Sequence, residues 1–177
     1  MNQEEFLLQH LTEGKKYQQI CNENESISLT NLREWWETGQ ELRAQIKRSN
    51  ILFDSRKGKE EFAEFQKAGK RAFFEWYRKQ PRHCAYCGIT EDKLQKLFDY
   101  TTGSLSTKRK RGRSLELERR DSKSNEYSPK NCVLACYFCN NHKSDVITEE
   151  EHRLYFAPQI KKYLEDKYTQ LQEDDNR

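Results

Sequence analysis

The sequence predicts a small α+β protein in three parts: N-terminal helices over residues 1–69, a compact cysteine-bearing core over residues 70–150, and a C-terminal helical tail over residues 151–177. Three observations point there. Apolar residues recur at helical spacing on either side of the middle of the chain. The middle itself switches to two short strand-like runs, and five of the six cysteines fall in it.

Taken in order, residues 3–22 carry Phe6, Leu7, Leu11, Tyr17 and Ile20 at loose helical spacing and are expected to form one helix, which the polar residues 22–26 break. Asn31 followed by Glu34 resembles a capping box, in which two side chains satisfy the free N–H groups of a helix start. It opens a second helix to about Ser49, with Trp35, Trp36, Leu42 and Ile46 available for packing. Phe62, Phe65, Ala72, Phe73 and Trp76 then line one face of a third helix, which Pro81 stops because it has no N–H to donate. Residues 91–100 read as a short helix and residues 115–118 and 133–135 as strands. In the first strand Leu115 and Leu117 alternate with Glu116 and Glu118, so both acids belong to its polar face. Thr148 with Glu151 is a further capping box, opening a tail that is expected to break near Pro158 and to lose order over its last five residues.

Only 34% of the residues are apolar and 34% are charged, against roughly 45–50% and ~25% in ordinary domains. The 177 residues therefore build a small core, and something beyond apolar burial holds part of the chain. No apolar run approaches the ~20 residues that cross a bilayer, and the chain does not start with a basic and then apolar leader. A cytoplasmic protein with no membrane partner is expected. The net charge of +3 conceals an asymmetry, because residues 70–143 hold 17 Lys and Arg against 8 Asp and Glu. A basic middle segment between acidic flanks points to a phosphate-rich partner.

Cys84-Ala-Tyr-Cys87 and Cys136-Tyr-Phe-Cys139 are two Cys-x2-Cys pairs. Each presents two thiolates to one tetrahedral ion, and four thiolates complete a closed structural zinc site. Gly88, directly after the first pair, supplies the positive φ that such a knuckle needs. Disulfides are the alternative, disfavoured in a cytoplasmic chain. Cys132 is too far along an extended strand from Cys136 to share the ion, since four residues span ~13 Å. A zinc ligated by four sulfurs has no open position for chemistry, so any reaction needs a second site.

Between and around the pairs run Leu115-Glu-Leu-Glu-Arg-Arg-Asp121, Tyr127-Ser-Pro-Lys-Asn131 and Cys136-x2-Cys-Asn-Asn-His-Lys143. This order resembles the HNH endonucleases of the ββα-metal (His-Me finger) class, in which zinc clamps two strands and a helix around one catalytic divalent ion. The resemblance covers about residues 73–150. It implies a zinc-clamped ββα-metal core that cleaves double-stranded DNA with Mg²⁺ or Mn²⁺, in a restriction or phage-defence setting. Residue by residue, it implies that Glu118 and Asn140 hold the catalytic ion, that Asn131 ties the loop between the strands, and that Lys143 faces a phosphate. Arg119 stands where the family's base histidine sits. A guanidinium is always protonated, so Arg119 is expected to hold the scissile phosphate or stabilise developing charge instead. The resemblance further suggests Tyr86 as a nucleophile or activating group, and a homodimer for double-strand cleavage.

The residues leave alternatives open. Tyr86 also suits packing within its knuckle, Glu118 a solvent-facing strand, Asn140 a helix start, and Asp121 either the metal or an Asx turn. Lys108, Arg109, Lys110, Arg111 and Arg113 form a tract suited to the DNA backbone or to a solvated loop. Rival functions are a catalytically inactive zinc-dependent DNA-binding module and a nuclease acting on RNA or single strands.

Overall fold

The computed structural model describes residues 1–175. It is mostly helical with one two-stranded antiparallel sheet, an α+β architecture. It divides into two compact units, Met1–Lys79 and a second that begins at Gln80.

The first unit holds α1 (Gln3–Leu11), α2 (Tyr17–Glu23), α3 (Leu29–Thr38), α4 (Gln40–Asp54), a 3-10 turn (Glu60–Phe62) and α5 (Ala63–Arg78). The single helix expected over residues 3–22 is two, because Gly14 takes a left-handed φ of 76° between them. The second expected helix also divides. Its capping box is Ser28 with Asn31 rather than Asn31 with Glu34. Gly39 separates α3 from α4 at a point where a Cβ would lie 2.7 Å from the Trp35 carbonyl oxygen. Phe53, Phe62, Phe65, Phe73 and Trp76 pack ring against ring at 4.8–5.8 Å and form the centre of this unit. The boundary expected at 69/70 falls instead on a kink inside α5, where Gly69 has φ 85°. The chain stays in the first unit to Lys79, because Phe73, Phe74 and Tyr77 are buried there.

The second unit contains α6 (Glu91–Leu97), β1 (Glu116–Arg119), β2 (Cys132–Ala135), α7 (Tyr137–Lys143), α8 (Glu149–Glu151) and α9 (Ala157–Asp175). β1 and β2 pair with Glu116 opposite Ala135 and Arg119 opposite Cys132. α7 follows directly from β2 and packs on β1, which makes a ββα unit. The first knuckle closes through Gly88 N–H to Cys84 O (3.0 Å) and is tied to β2 by Ala85 N–H to Leu134 O (2.9 Å). The expected break near Pro158 is absent. A π-helical turn, His152–Phe156, lies just before the proline, and α9 runs on to Asp175. A wider turn ahead of a proline relieves the crowding between its ring and the preceding carbonyls. The tail therefore belongs to the second unit, with Leu164 fully buried and Lys93 paired to Glu165 at 2.5 Å. Of the five terminal residues expected to lack order, those up to Asp175 are helical and the remainder lie outside the described residues. No helix among the described residues is long and apolar enough to cross a membrane.

Candidate active site

Cys84, Cys87, Cys136 and Cys139 are all buried, with ligand atoms within 4.8 Å of one another. The Cys87 and Cys136 sulfurs are 3.7 Å apart, and the Cys139 N–H donates to Cys136 Sγ, which also caps α7. Hydrogen bonds from Cys136, Cys139 and Cys87 hold the Cys84 thiol far below its ordinary value, while Cys139 is pushed up chiefly by Cys136. Four thiols this close cannot all ionise alone; a divalent cation removes the conflict. The donor set therefore fits zinc, and it closes the tetrahedron with sulfur.

The polar face of β1 is not solvent-facing. α7 covers it, leaving Glu116 8% and Glu118 6% exposed. A polar network fills the space between strand and helix. Glu116 takes two hydrogen bonds from the Arg111 guanidinium, at 2.9 and 2.5 Å, and one from Asn140 Nδ2 at 2.6 Å. Glu118 pairs with Lys143 at 3.2 Å, and the same ammonium donates to the Arg119 carbonyl and Ser122 Oγ, both at 2.8 Å. Burial pushes the Glu118 carboxyl up, and the charge of Lys143 draws part of that shift back. The Lys143 ammonium already supplies the counter-charge of Glu118, so a divalent ion at this carboxylate has to displace that ammonium or share the oxygens with it. Asn140, expected to share an ion with Glu118, instead donates its Nδ2 to Glu116.

Lys143, expected to face a phosphate, is thus a correction: it is fully buried and spends its three N–H groups inside the protein. The cause is the seating of α7 on the acidic strand face, which turns Lys143 inward. Arg111 and Arg113 are half-exposed and already ion-paired within the protein. Arg111 is clamped on Glu116, while Arg113 pairs with Asp99 at 3.4 Å and lies over the Tyr100 ring at 4.9 Å. Lys108, Arg109 and Lys110 are exposed.

The end of β1 presents Arg119 beside the loop between the strands. Its guanidinium donates to the Asn125 amide oxygen and lies 4.9 Å over the Tyr127 ring. Asn131 holds this loop from within: Nδ2 donates to the carbonyls of Asp121 (3.0 Å) and Glu126 (2.7 Å), and Oδ1 accepts from Asp121 N–H (2.9 Å). Asp121 accepts from Lys123 N–H at 2.9 Å, an Asx turn.

No family model matches the chain, and no curated protein matches it. Among solved structures, the chain is similar to the rare-cutting HNH restriction endonuclease PacI, with 33% identity and a TM-score of 0.44. The similarity covers 53% of this chain and 62% of that one, so it spans less than two-thirds of that protein.

Tyr86 is packed within the second unit and lies near enough to Glu118 to feel its charge. Arg153 covers its ring at 5.0 Å, His152 meets it edge-on at 5.1 Å, and its hydroxyl is buried with no hydrogen-bond partner among the described residues. Burial, reinforced by Glu118 and Glu149, pushes the phenol well above its ordinary value. Tyr127 is the phenol beside Arg119, and the sequence reading passed it over. The available signal was its place in Tyr127-Ser-Pro-Lys, four residues before the loop-tying Asn131. His152 was also passed over. It is fully buried beside Tyr86 and His142, and burial holds its imidazole down to about 4, so it is neutral at pH 7.

Proposed function

We propose that this protein is an HNH-type endonuclease that hydrolyses phosphodiester bonds in double-stranded DNA with a divalent metal, in restriction or defence against phage. The single observation that carries the reading is the buried carboxylate of Glu118 on a cysteine-stapled ββα unit, with the Arg119 guanidinium next in the chain. Glu118 and Asn140 hold Mg²⁺ or Mn²⁺, which when bound polarises the phosphate and relieves charge on the leaving oxygen. Arg119 binds the phosphate as a permanent cation and meets the charge that develops on it. The Tyr127 ring packs under the Arg119 guanidinium and helps to hold it. Asn131 keeps the loop, and so both groups, in position. One such site cuts one strand, and a two-fold dimer brings a second site to the other strand.

Incubation with supercoiled plasmid and Mg²⁺ or Mn²⁺ tests this. Nicked or linear product is expected, and Glu118→Gln, which keeps an oxygen for the Lys143 ammonium, should abolish it while zinc content and DNA binding persist. Lys143 gives one specific reason to keep the DNA-binding module as a second reading, because its ammonium already neutralises Glu118. A wild-type chain that binds DNA and never cuts it, whatever the divalent ion, would decide for that module.

A further inference from the structure

One buried group takes no part in the cleavage chemistry. His152 is fully buried, and neither of its ring nitrogens has a hydrogen-bond partner among the described residues. Burial of unpaired polar atoms costs free energy, so an imidazole held in this way needs something to bind. We infer that His142, His152 and Tyr86 form a second metal site, which takes Zn²⁺ on two imidazole nitrogens and one phenolic oxygen. The inference stands apart from the nuclease reading and uses none of the four cysteines.

The three side chains come from different elements and meet in one place. His142 lies in α7, His152 opens the π-helical turn, and Tyr86 lies inside the first knuckle. The His152 ring is centred 5.5 Å from that of His142 and 5.1 Å from that of Tyr86. An ion ~2 Å from one nitrogen of each imidazole fits between two rings so spaced. Phe156, centred 4.4 Å from the His142 ring, packs against it and limits its movement. His142 is exposed and makes no hydrogen bond among the described residues, so a ring nitrogen is available and an ion can enter from solvent. The Tyr86 hydroxyl is the third buried polar group of the cluster without a partner among the described residues. Burial keeps His152 neutral at pH 7, the form that ligates metals. Two nearby cations are already neutralised, Lys143 by Glu118 and Arg153 by Glu149. Imidazole suits zinc, and three protein donors leave the fourth position to water. Wide π turns recur at functional sites, and this one begins at His152. The ion joins the first knuckle, α7 and the start of the C-terminal helix.

The test uses the full chain with its cysteine site loaded with zinc, dialysed against micromolar Zn²⁺ with Mg²⁺ in excess. Metal analysis should find one more zinc ion per chain in wild type than in His142→Ala, a surface substitution whose melting temperature in metal-free buffer should match that of wild type. Co²⁺ added to the chain with only its cysteine site filled by zinc should give the weak visible bands of nitrogen and oxygen ligation, without thiolate-to-cobalt charge transfer. His142→Ala should lack those bands. Tyr86→Phe should bind the added ion about tenfold more weakly. His10→Ala, in the first unit, should keep it. Equal zinc content in wild type and His142→Ala, or cobalt bands that survive His142→Ala, overturns the site. Loss of the added ion from His10→Ala makes it an adventitious ion only and overturns the site as well. Each of these failures leaves the nuclease reading intact, since plasmid cleavage tests that separately.

Discussion

The two units solve the problem of a polar sequence in opposite ways. The first concentrates its apolar residues, with aromatic rings at its centre and its charges paired on the surface, as where Arg71 meets Glu5 and Glu13. The second puts four thiols at its centre and buries Glu116, Glu118 and Lys143 beside them. Apolar burial cannot pay for so many desolvated charges, but a metal that fixes both knuckles can. Stapling therefore leaves the second unit room to keep buried ionised groups where chemistry needs them.

Loss of the metal should break the comparison most strongly. Structural zinc supplies on the order of 10 kcal/mol of folding free energy in small domains, so chelation or Cys84→Ser should unfold the second unit. The first unit should survive. All three tryptophans, Trp35, Trp36 and Trp76, lie before residue 80, so tryptophan fluorescence should barely change while limited proteolysis digests the chain after Lys79. A Cys84→Ser protein as stable as the parent would end the zinc assignment.

Next in size is Lys143→Met. It leaves Glu118 buried without its counter-charge, a change that costs about 3–5 kcal/mol in buried pairs. If Glu118 is a ligand to the divalent ion, Mn²⁺ should restore that missing charge. The melting temperature of Lys143→Met should then rise with Mn²⁺ more than that of wild type, with zinc content equal in both. No differential effect would remove Glu118 from the divalent site.

Arg119→Ala should lower cleavage by about 10²-fold or more, as loss of a preorganised group at developing charge does, with melting temperature little changed. The two tyrosines sharpen this. Tyr127→Phe should lose activity if the hydroxyl of the ring under Arg119 acts at the phosphate, whereas Tyr86→Phe should retain it, because that hydroxyl is buried with no hydrogen-bond partner among the described residues. The reverse order would restore Tyr86 to the site.

How far these residues were legible depends on the range of the interaction that places them. The cysteine pairs, the Thr148–Glu151 box and the alternation of Leu115 and Leu117 with Glu116 and Glu118 are local patterns, and the structure carries each of them. Gly14, Gly39 and Gly69 were visible as breaks, but helical spacing alone ran through them. Burial of the acidic strand face was not legible, because it follows from α7 seating on β1 across 24 or 25 residues of chain. The same contact turns Lys143 inward, and Glu116 draws Arg111 out of a tract that reads as solvated. Tyr86 lies inside one recognisable motif and Tyr127 opens another, and only the path of the intervening chain decides which of them packs against Arg119.

The smallest expected effect concerns acid. In the first unit Arg71 donates to both Glu5 oxygens at 2.8 Å, and that hydrogen bonding holds the Glu5 carboxyl at about 2 against an ordinary 4.5. A carboxyl depressed on folding adds stability above its unfolded value and loses it as pH falls through the folded one. The contribution should thus be complete above about pH 4.5, fade between 4.5 and 2, and be absent below. Both side chains are more than a third exposed, at 42% and 36%, so solvent screening leaves at most ~1 kcal/mol. Glu5→Gln should cost that much at pH 7, less in high salt, and nothing at pH 2. The second unit should fail earlier and more abruptly on the same titration, because protons displace zinc from thiolates. A zinc-sensitive dye and tryptophan fluorescence, read together as pH falls, should separate in that order: zinc release first, then a shallow change in the tryptophans. Coincident curves would mean that the two units unfold as one, and that the metal supports the aromatic core as well.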